Sequence, residues 1–229
     1  MHIPDGFVDL KTAVTTGVFS IAGFITAIVK VKQYFKARVV VLMGIFAALI
    51  FAAQMVNFTI LGGTSGHLLG AALAAIVLGP YGGGIVIAAV LVVQAFLFGD
   101  GGITALGANI FNMAIVGILA AYLIFKLITK FSKKKSVFFS AVAISAWFSV
   151  VVASIFASLE LAISGIYPLA VTLKAMVPIH MMIGLGEAAI TTAVVAFVYK
   201  LRPELILSIN WVIDKSDHSE YFQEGAISE

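Results

Sequence analysis

The chain has 229 residues with a net charge of +3; 62% are hydrophobic and only 11% charged, against about 25% charged in an ordinary soluble domain. A chain this short cannot bury that much apolar surface in its own core, so the excess faces lipid and the protein is integral to a membrane. A secreted disulfide scaffold, a nucleic-acid binder and a disordered regulator are excluded; with no cysteine present, so are zinc–thiolate and iron–sulfur centres.

A membrane-crossing helix needs about 20 apolar residues. Such stretches lie at 9–29, 39–60, 108–125, 136–162 and 177–199. Residues 67–99 are also apolar but would run about 50 Å as one helix. They are interrupted by Gly79-Pro80-Tyr81-Gly82-Gly83-Gly84, which a continuous helix tolerates poorly. A hairpin of two short helices, 67–78 and 84–98, is expected, giving an all-α membrane protein of seven transmembrane helices.

Charge orients it. With the N-terminus outside, the inner loops hold Lys30, Lys32, Lys36 and Arg38, then Lys126, Lys130, Lys133, Lys134 and Lys135. Lys200, Arg202 and Lys215 add to the inner C-terminal side, leaving only Lys11 and Lys174 outside. A single span at 67–99 would put the two basic loops on opposite faces, against the positive-inside rule. No signal peptide precedes the first span, so Met1 is expected as the mature start. Residues 1–200 are read as one membrane-embedded domain and 201–229 as a polar cytoplasmic tail, helical with frayed ends.

Small residues recur at every fourth position as Gly44, Ala48 and Ala52, as Gly66, Gly70 and Ala74, and as Gly184, Ala188, Thr192 and Ala196. Such stripes let helices approach closely in lipid; internal packing is the expected use, with docking of another subunit on the second span as the alternative. Gln94, Asn109 and Asn112 are polar groups within spans, and the two asparagines share a helical face. Glu187 is expected to be the one acid well inside a span, with His180 two turns away on its face. Interhelical hydrogen bonding and a proton relay both remain open for that pair.

The chemistry concentrates at His2 and at His67, which ends the run Leu61-Gly62-Gly63-Thr64-Ser65-Gly66-His67. At position two, the Met1 amine, the His2 amide nitrogen and the His2 Nδ1 can close a five- and a six-membered chelate ring on one ion. Three nitrogens then lie nearly in a plane, and His67 is the natural fourth. Planar nitrogen coordination suits Cu(II) and Ni(II), whereas zinc prefers tetrahedra and magnesium or calcium prefer oxygen. Pro4 and Asp5-Gly6 turn the N-terminal segment inward. Ser65, Gln94, Asn109 and Asn112 are the candidates for supporting the centre.

The opening Met1-His2-Ile3-Pro4-Asp5-Gly6-Phe7 resembles the CbiM/NikM group, the substrate-binding components of energy-coupling factor (ECF) transporters for cobalt and nickel. His67 through Pro80, and Gln94 through Phe98-Gly99-Asp100-Gly101-Gly102 to Asn109, are similar to two further motifs of that group. The resemblance implies a six-helix core with one added N-terminal helix. It also implies metal ligation by Met1, His2 and His67, with no resident cofactor and Ni2+ or Co2+ as cargo. The implied partners are a transmembrane coupling protein, two ATPase subunits and a small accessory membrane subunit; the accessory subunit is expected to be separate or absent here.

The expected function is therefore the metal-capturing component of a prokaryotic plasma-membrane ECF-type importer, nickel before cobalt. It is not expected to be an enzyme: there is no His-Glu-x-x-His string and no nucleotide loop. The alternatives are a secondary metal/proton transporter using Glu187, and a haem-binding membrane protein using His67 and His180 as axial ligands.

Overall fold

A computed structural model describes residues 1–34, 37–60 and 64–208. The helices are α1 (Leu10–Val31), α2 (Ala37–Gln54), α3 (Ala71–Val93), α4 (Leu106–Ile110), α5 (Ile118–Phe131), α6 (Lys135–Ile163) and α7 (Leu169–Leu201). A π-helical segment, Phe111–Gly117, joins α4 and α5 into one rod, and another, Gln94–Phe98, prolongs α3. Among the described residues, six helical rods are long and apolar enough to cross a membrane.

The burial pattern of α1 is inside out. Thr12, Thr16 and Ser20 are buried, while Leu10, Val14, Val18, Ile21 and Ile25 are exposed. In lipid the apolar face needs no cover, and small polar residues at the helix contact permit close approach. Asp9 caps the helix, its carboxylate accepting the Thr12 N–H at 3.1 Å. The Ser20 hydroxyl donates to the Gly107 carbonyl at 2.7 Å. A Cβ on Gly107 would lie only 2.7 Å from the Gly17 Cα, so two glycines set this crossing. In α6, Ser145, Ser149, Ser154 and Ser158 are all buried and return their hydroxyl protons to carbonyls of their own helix.

The interruption in 67–99 falls at Gly79, which has φ 73° and ψ 168° and is followed by Pro80. The arm before it, from Ala71 to Leu78, has about 12 Å of helix, too short to cross a bilayer alone. A Cβ on Gly83 would sit 2.8 Å from the Ala74 carbonyl carbon. Nine residues of straight helix would separate them by about 13 Å, so the chain folds back at Gly79.

Two expected boundaries shift. The second apolar stretch stops being helical at Gln54 rather than at 60. Phe58–Ile60 and Thr64–Gly66 form a two-stranded antiparallel hairpin, with Thr59 opposite Ser65. The expectation of a purely helical chain missed this element, whose strands are only three residues each. The last helix starts at Leu169, eight residues earlier than the apolar stretch suggested.

The small-residue stripes divide. Gly66 and Ala74 are buried, Gly70 is half-buried, and Gly184 packs on Trp147, as internal packing requires. Gly44, Ala48 and Ala52 are exposed on α2, so internal packing does not account for that stripe. At the chain's far end Pro203, Ile206 and Ser208 are buried, and Glu204 accepts from Arg38 at 3.1 Å and from Arg202. Lys36, Leu61-Gly62-Gly63 and the tail from 209, with Lys215 and His218, lie outside the described residues.

Candidate metal centre

The nine residues before α1 run back into the bundle instead of trailing from it. Met1, His2 and Ile3 are all buried. The Ile3 N–H donates to Asn109 Oδ1 at 2.8 Å, and the Ile3 carbonyl accepts from Asn109 Nδ2 at 3.0 Å and from the Gly102 N–H at 2.9 Å. Asp5 takes the Thr104 N–H at 2.7 Å and the Thr104 hydroxyl at 2.6 Å. A Cβ on Gly102 would lie 2.3 Å from the Asp5 nitrogen, so the close approach needs glycine there.

This docking brings the candidate nitrogens together. Ser65 Oγ lies 3.0 Å from the Met1 amine, 3.0 Å from the His2 amide nitrogen and 3.3 Å from His2 Nδ1. The amine also donates to the Ser65 carbonyl. His2 Nε2 faces Gln94 Oε1 at 3.2 Å. A proton held on Nε2 leaves Nδ1 as the nitrogen a metal would take, once the proton shared there with Asp100 at 3.1 Å has left. The His67 ring stacks on His2, with centroids 4.5 Å apart and planes at 23°.

His67 is held at one ring nitrogen. Its Nδ1–H donates to the Leu68 carbonyl at 2.8 Å, and its buried Nε2 has no hydrogen-bond partner. A fixed Nδ1 proton with an idle Nε2 is the state of an imidazole ready to ligate. Behind it, Glu187 accepts the N–H groups of Leu69 at 2.8 Å and Gly70 at 2.6 Å, capping the short arm of α3. Gln54 takes up the same turn, donating to the Leu69 carbonyl at 2.7 Å.

His67 and Gln94 sit 27 positions apart yet both meet His2. The fold-back at Gly79 is what returns the two ends of this segment to one place.

Burial pushes the Met1 amine well below its ordinary value, against the pull of Asp100. Burial also lowers His2, and lowers His67 well below 6.5 with help from the terminal charge, from His2 and, least, from His180. Burial thus favours the neutral form of all three groups. Asp100, unremarked in the sequence, lies 3.1 Å from His2 Nδ1 and accepts from Asn57 at 2.8 Å. Burial alone would raise its carboxyl, but the hydrogen bond and charge of His2 outweigh that and hold it low.

Asn112 does not join this group: its Nδ2 donates to Glu160 at 2.6 Å. Glu160 is buried near the end of α6, a second buried acid besides Glu187, which lies deeper within its helix. His180 and Glu187 have separate partners, the ring of His180 donating from Nδ1 to the Met176 carbonyl at 2.7 Å. Among the described residues no three His, Cys, Asp or Glu side chains cluster as a metal site.

Residues 2–205 match the family described as the cobalt uptake substrate-specific transmembrane region, CbiM. The chain is 44% identical over 208 residues to a protein of Archaeoglobus fulgidus named as a fused nickel transport protein, NikMN, covering 90% of this chain and 68% of that one. It is 32% identical over 223 residues to the fused nickel transport protein NikMN of Rhodobacter capsulatus, covering 90% and 64%. A crystal structure of a truncated transition metal transporter superposes with a TM-score of 0.83 at 34% identity, over 87% of this chain and 99% of that one. This chain is a multi-pass membrane protein of the CbiM family.

Proposed function

We propose that this protein captures Ni2+ or Co2+ at the outer membrane face for uptake. The ligands are the Met1 amine, the His2 amide nitrogen, His2 Nδ1 and His67 Nε2. The observation that carries this reading is the convergence of the first three nitrogens on one atom, Ser65 Oγ, at 3.0–3.3 Å. Three donors already aimed at one point need little reorganisation to close on an ion. The ring spacing agrees: with metal–nitrogen bonds of about 2 Å, two imidazoles on adjacent corners of one ion have centroids roughly 4–5 Å apart.

Charge balance supports a divalent guest. The amide loses its proton on ligation, so a +2 ion with one amide anion leaves +1, which the Asp100 carboxylate offsets beside His2. Gln94 orients the His2 ring and Asn109 pins the tail. Asn112 belongs instead to a hydrogen bond between helices.

Seven membrane passages, with the N-terminus outside and the C-terminus cytoplasmic, complete the reading; the two arms that meet at Gly79 count as two, although the shorter reaches only part of the way as helix. The chain works within an ECF-type ABC importer, beside a coupling protein, two ATPase subunits that hydrolyse ATP, and an accessory membrane subunit. Metal analysis of protein purified without added metal tests the core of this. Nickel or cobalt near one per chain is expected, with loss in His2→Ala; equal metal in both would overturn it.

A further inference from the structure

His180 has no part in the four-nitrogen centre, yet it repeats the chemistry of His67. It is fully buried, its Nδ1–H is spent on its own helix at the Met176 carbonyl, and its Nε2 has no partner. Burying an imidazole nitrogen with nothing to bond costs free energy, and two such nitrogens occur in one neighbourhood.

Their proximity follows from the packing of α7 on the segment that carries His67. Thr64 donates its hydroxyl to Met176 Sδ at 2.8 Å. A Cβ on Gly66 would meet the Ile183 side chain at 3.0 Å. The N–H groups of Leu69 and Gly70 end on Glu187. Residues 64, 66 and 69–70 therefore meet 176, 183 and 187 in the same order, along one face of α7. His180 lies on that face between Met176 and Ile183, so the register sets it opposite the Ser65–His67 stretch. The charges of His180, His67 and the terminal amine lie within electrostatic reach of one another.

Resting on the reading above, we propose that His180 Nε2 is a second ligating position for the transported divalent cation, paired with His67 Nε2 and separate from the terminal chelate. The ion is held first by the N-terminal nitrogens with His67. As the terminal strand lets go, His67 keeps its bond and His180 supplies the next one. Imidazole nitrogen suits nickel and cobalt alike. A site with fewer nitrogens holds the ion more weakly, which release requires.

The test is nickel titration by calorimetry of the full-length protein in detergent, comparing wild type, His180→Gln, His2→Ala and the double variant. His180→Asn, whose amide nitrogen takes the place of Nδ1 and can still donate to the Met176 carbonyl, provides a second form, and thermal unfolding checks that both fold. His180→Gln alone should leave wild-type capture within about threefold, His2→Ala should leave a weak residual site, and adding His180→Gln should weaken that residue about tenfold or more. Residual binding indifferent to His180, or no residual binding at all, overturns the second position. So does a loss of capture in His180→Gln as large as that in His2→Ala. Wild-type affinity in His2→Ala removes instead the terminal chelate on which the proposal stands.

Discussion

Asn109 grips Ile3 by both ends of its amide, accepting the Ile3 N–H at 2.8 Å and donating to the Ile3 carbonyl at 3.0 Å. The side chain acts as one rung of a β-ladder and fixes the residue that follows His2. Asn109→Ala leaves the Ile3 N–H without this partner in a buried setting, at a cost of about 1–3 kcal/mol. That cost falls on docking of the terminal strand. Nickel affinity should drop about 10–100-fold, as for other groups that orient metal ligands, while the unfolding temperature moves little. Calorimetric titration beside a thermal melt checks both.

Chain position is itself part of the proposed site. The amine lies 3.0 Å from Ser65 Oγ, and the Met1 side chain is buried. One residue added before Met1 carries the amine away, leaves an amide in its place and needs room that the packing does not offer. Metal binding should be lost, whereas a tag after Glu229 should leave it intact. Mass spectrometry showing the extension in place, together with normal nickel binding, would refute the chelate.

Glu187 satisfies two N–H groups at the start of the short α3 arm. Glu187→Ala strands both, and His67 lies two residues before the first of them. The change should lower thermal stability by about 2–4 kcal/mol, from the penalty of each unmet buried donor, and weaken nickel binding as well. Glu187→Gln keeps one acceptor oxygen and should recover about half of the loss. A proton-coupling role would instead leave stability untouched and alter the pH profile of uptake.

Acidity should oppose capture. The Met1 amine, His2 and His67 are all held below their ordinary values by burial, so the docked strand binds fewer protons than a free one. Above about pH 8 both forms are neutral and docking bears no proton cost. As pH falls past 8.0 and then 6.5, the free strand takes up protons that the docked one refuses, and docking weakens. Nickel affinity measured from pH 8 to 5.5 should decline steadily, with proton release on binding. A flat profile would count against these ligands.

Orientation can be read with single cysteines in this cysteine-free chain. Gly83 is unsuitable, because any side chain there strikes Ala74; Tyr81 and Ile103 are both exposed. Tyr81→Cys should label from the inside and Ile103→Cys from the outside with an impermeant thiol reagent. Labelling of both from one side would overturn the hairpin crossing.

Much of this was legible because chemistry and chain position coincide: His2 beside a terminal amine, and His67 after a glycine-rich run. Gly79-Pro80 likewise announced a break that no helix could absorb. Asp100 was hidden because it sits in a loop, where a carboxylate reads as solvated until the fold brings His2 to it. Asn112 was misplaced for a geometric reason. The pairing with Asn109 assumed α-helical spacing, but the rod becomes π-helical from Phe111, which widens the turn and rotates Asn112 toward Glu160. The strands 58–60 and 64–66 are too short to carry an alternating pattern, and they were absorbed into a neighbouring apolar run.

The docking of Met1–Ile3 also orders events during synthesis. His2 bonds to Ser65 and Gln94, and Ile3 to Asn109, across 63, 92 and 106 positions of sequence. The first residues to leave the ribosome are thus the last to find their places, since their seat does not exist until about half the chain has been inserted. Until then His67 and the terminal nitrogens are apart, and the four-nitrogen set proposed for the ion cannot assemble.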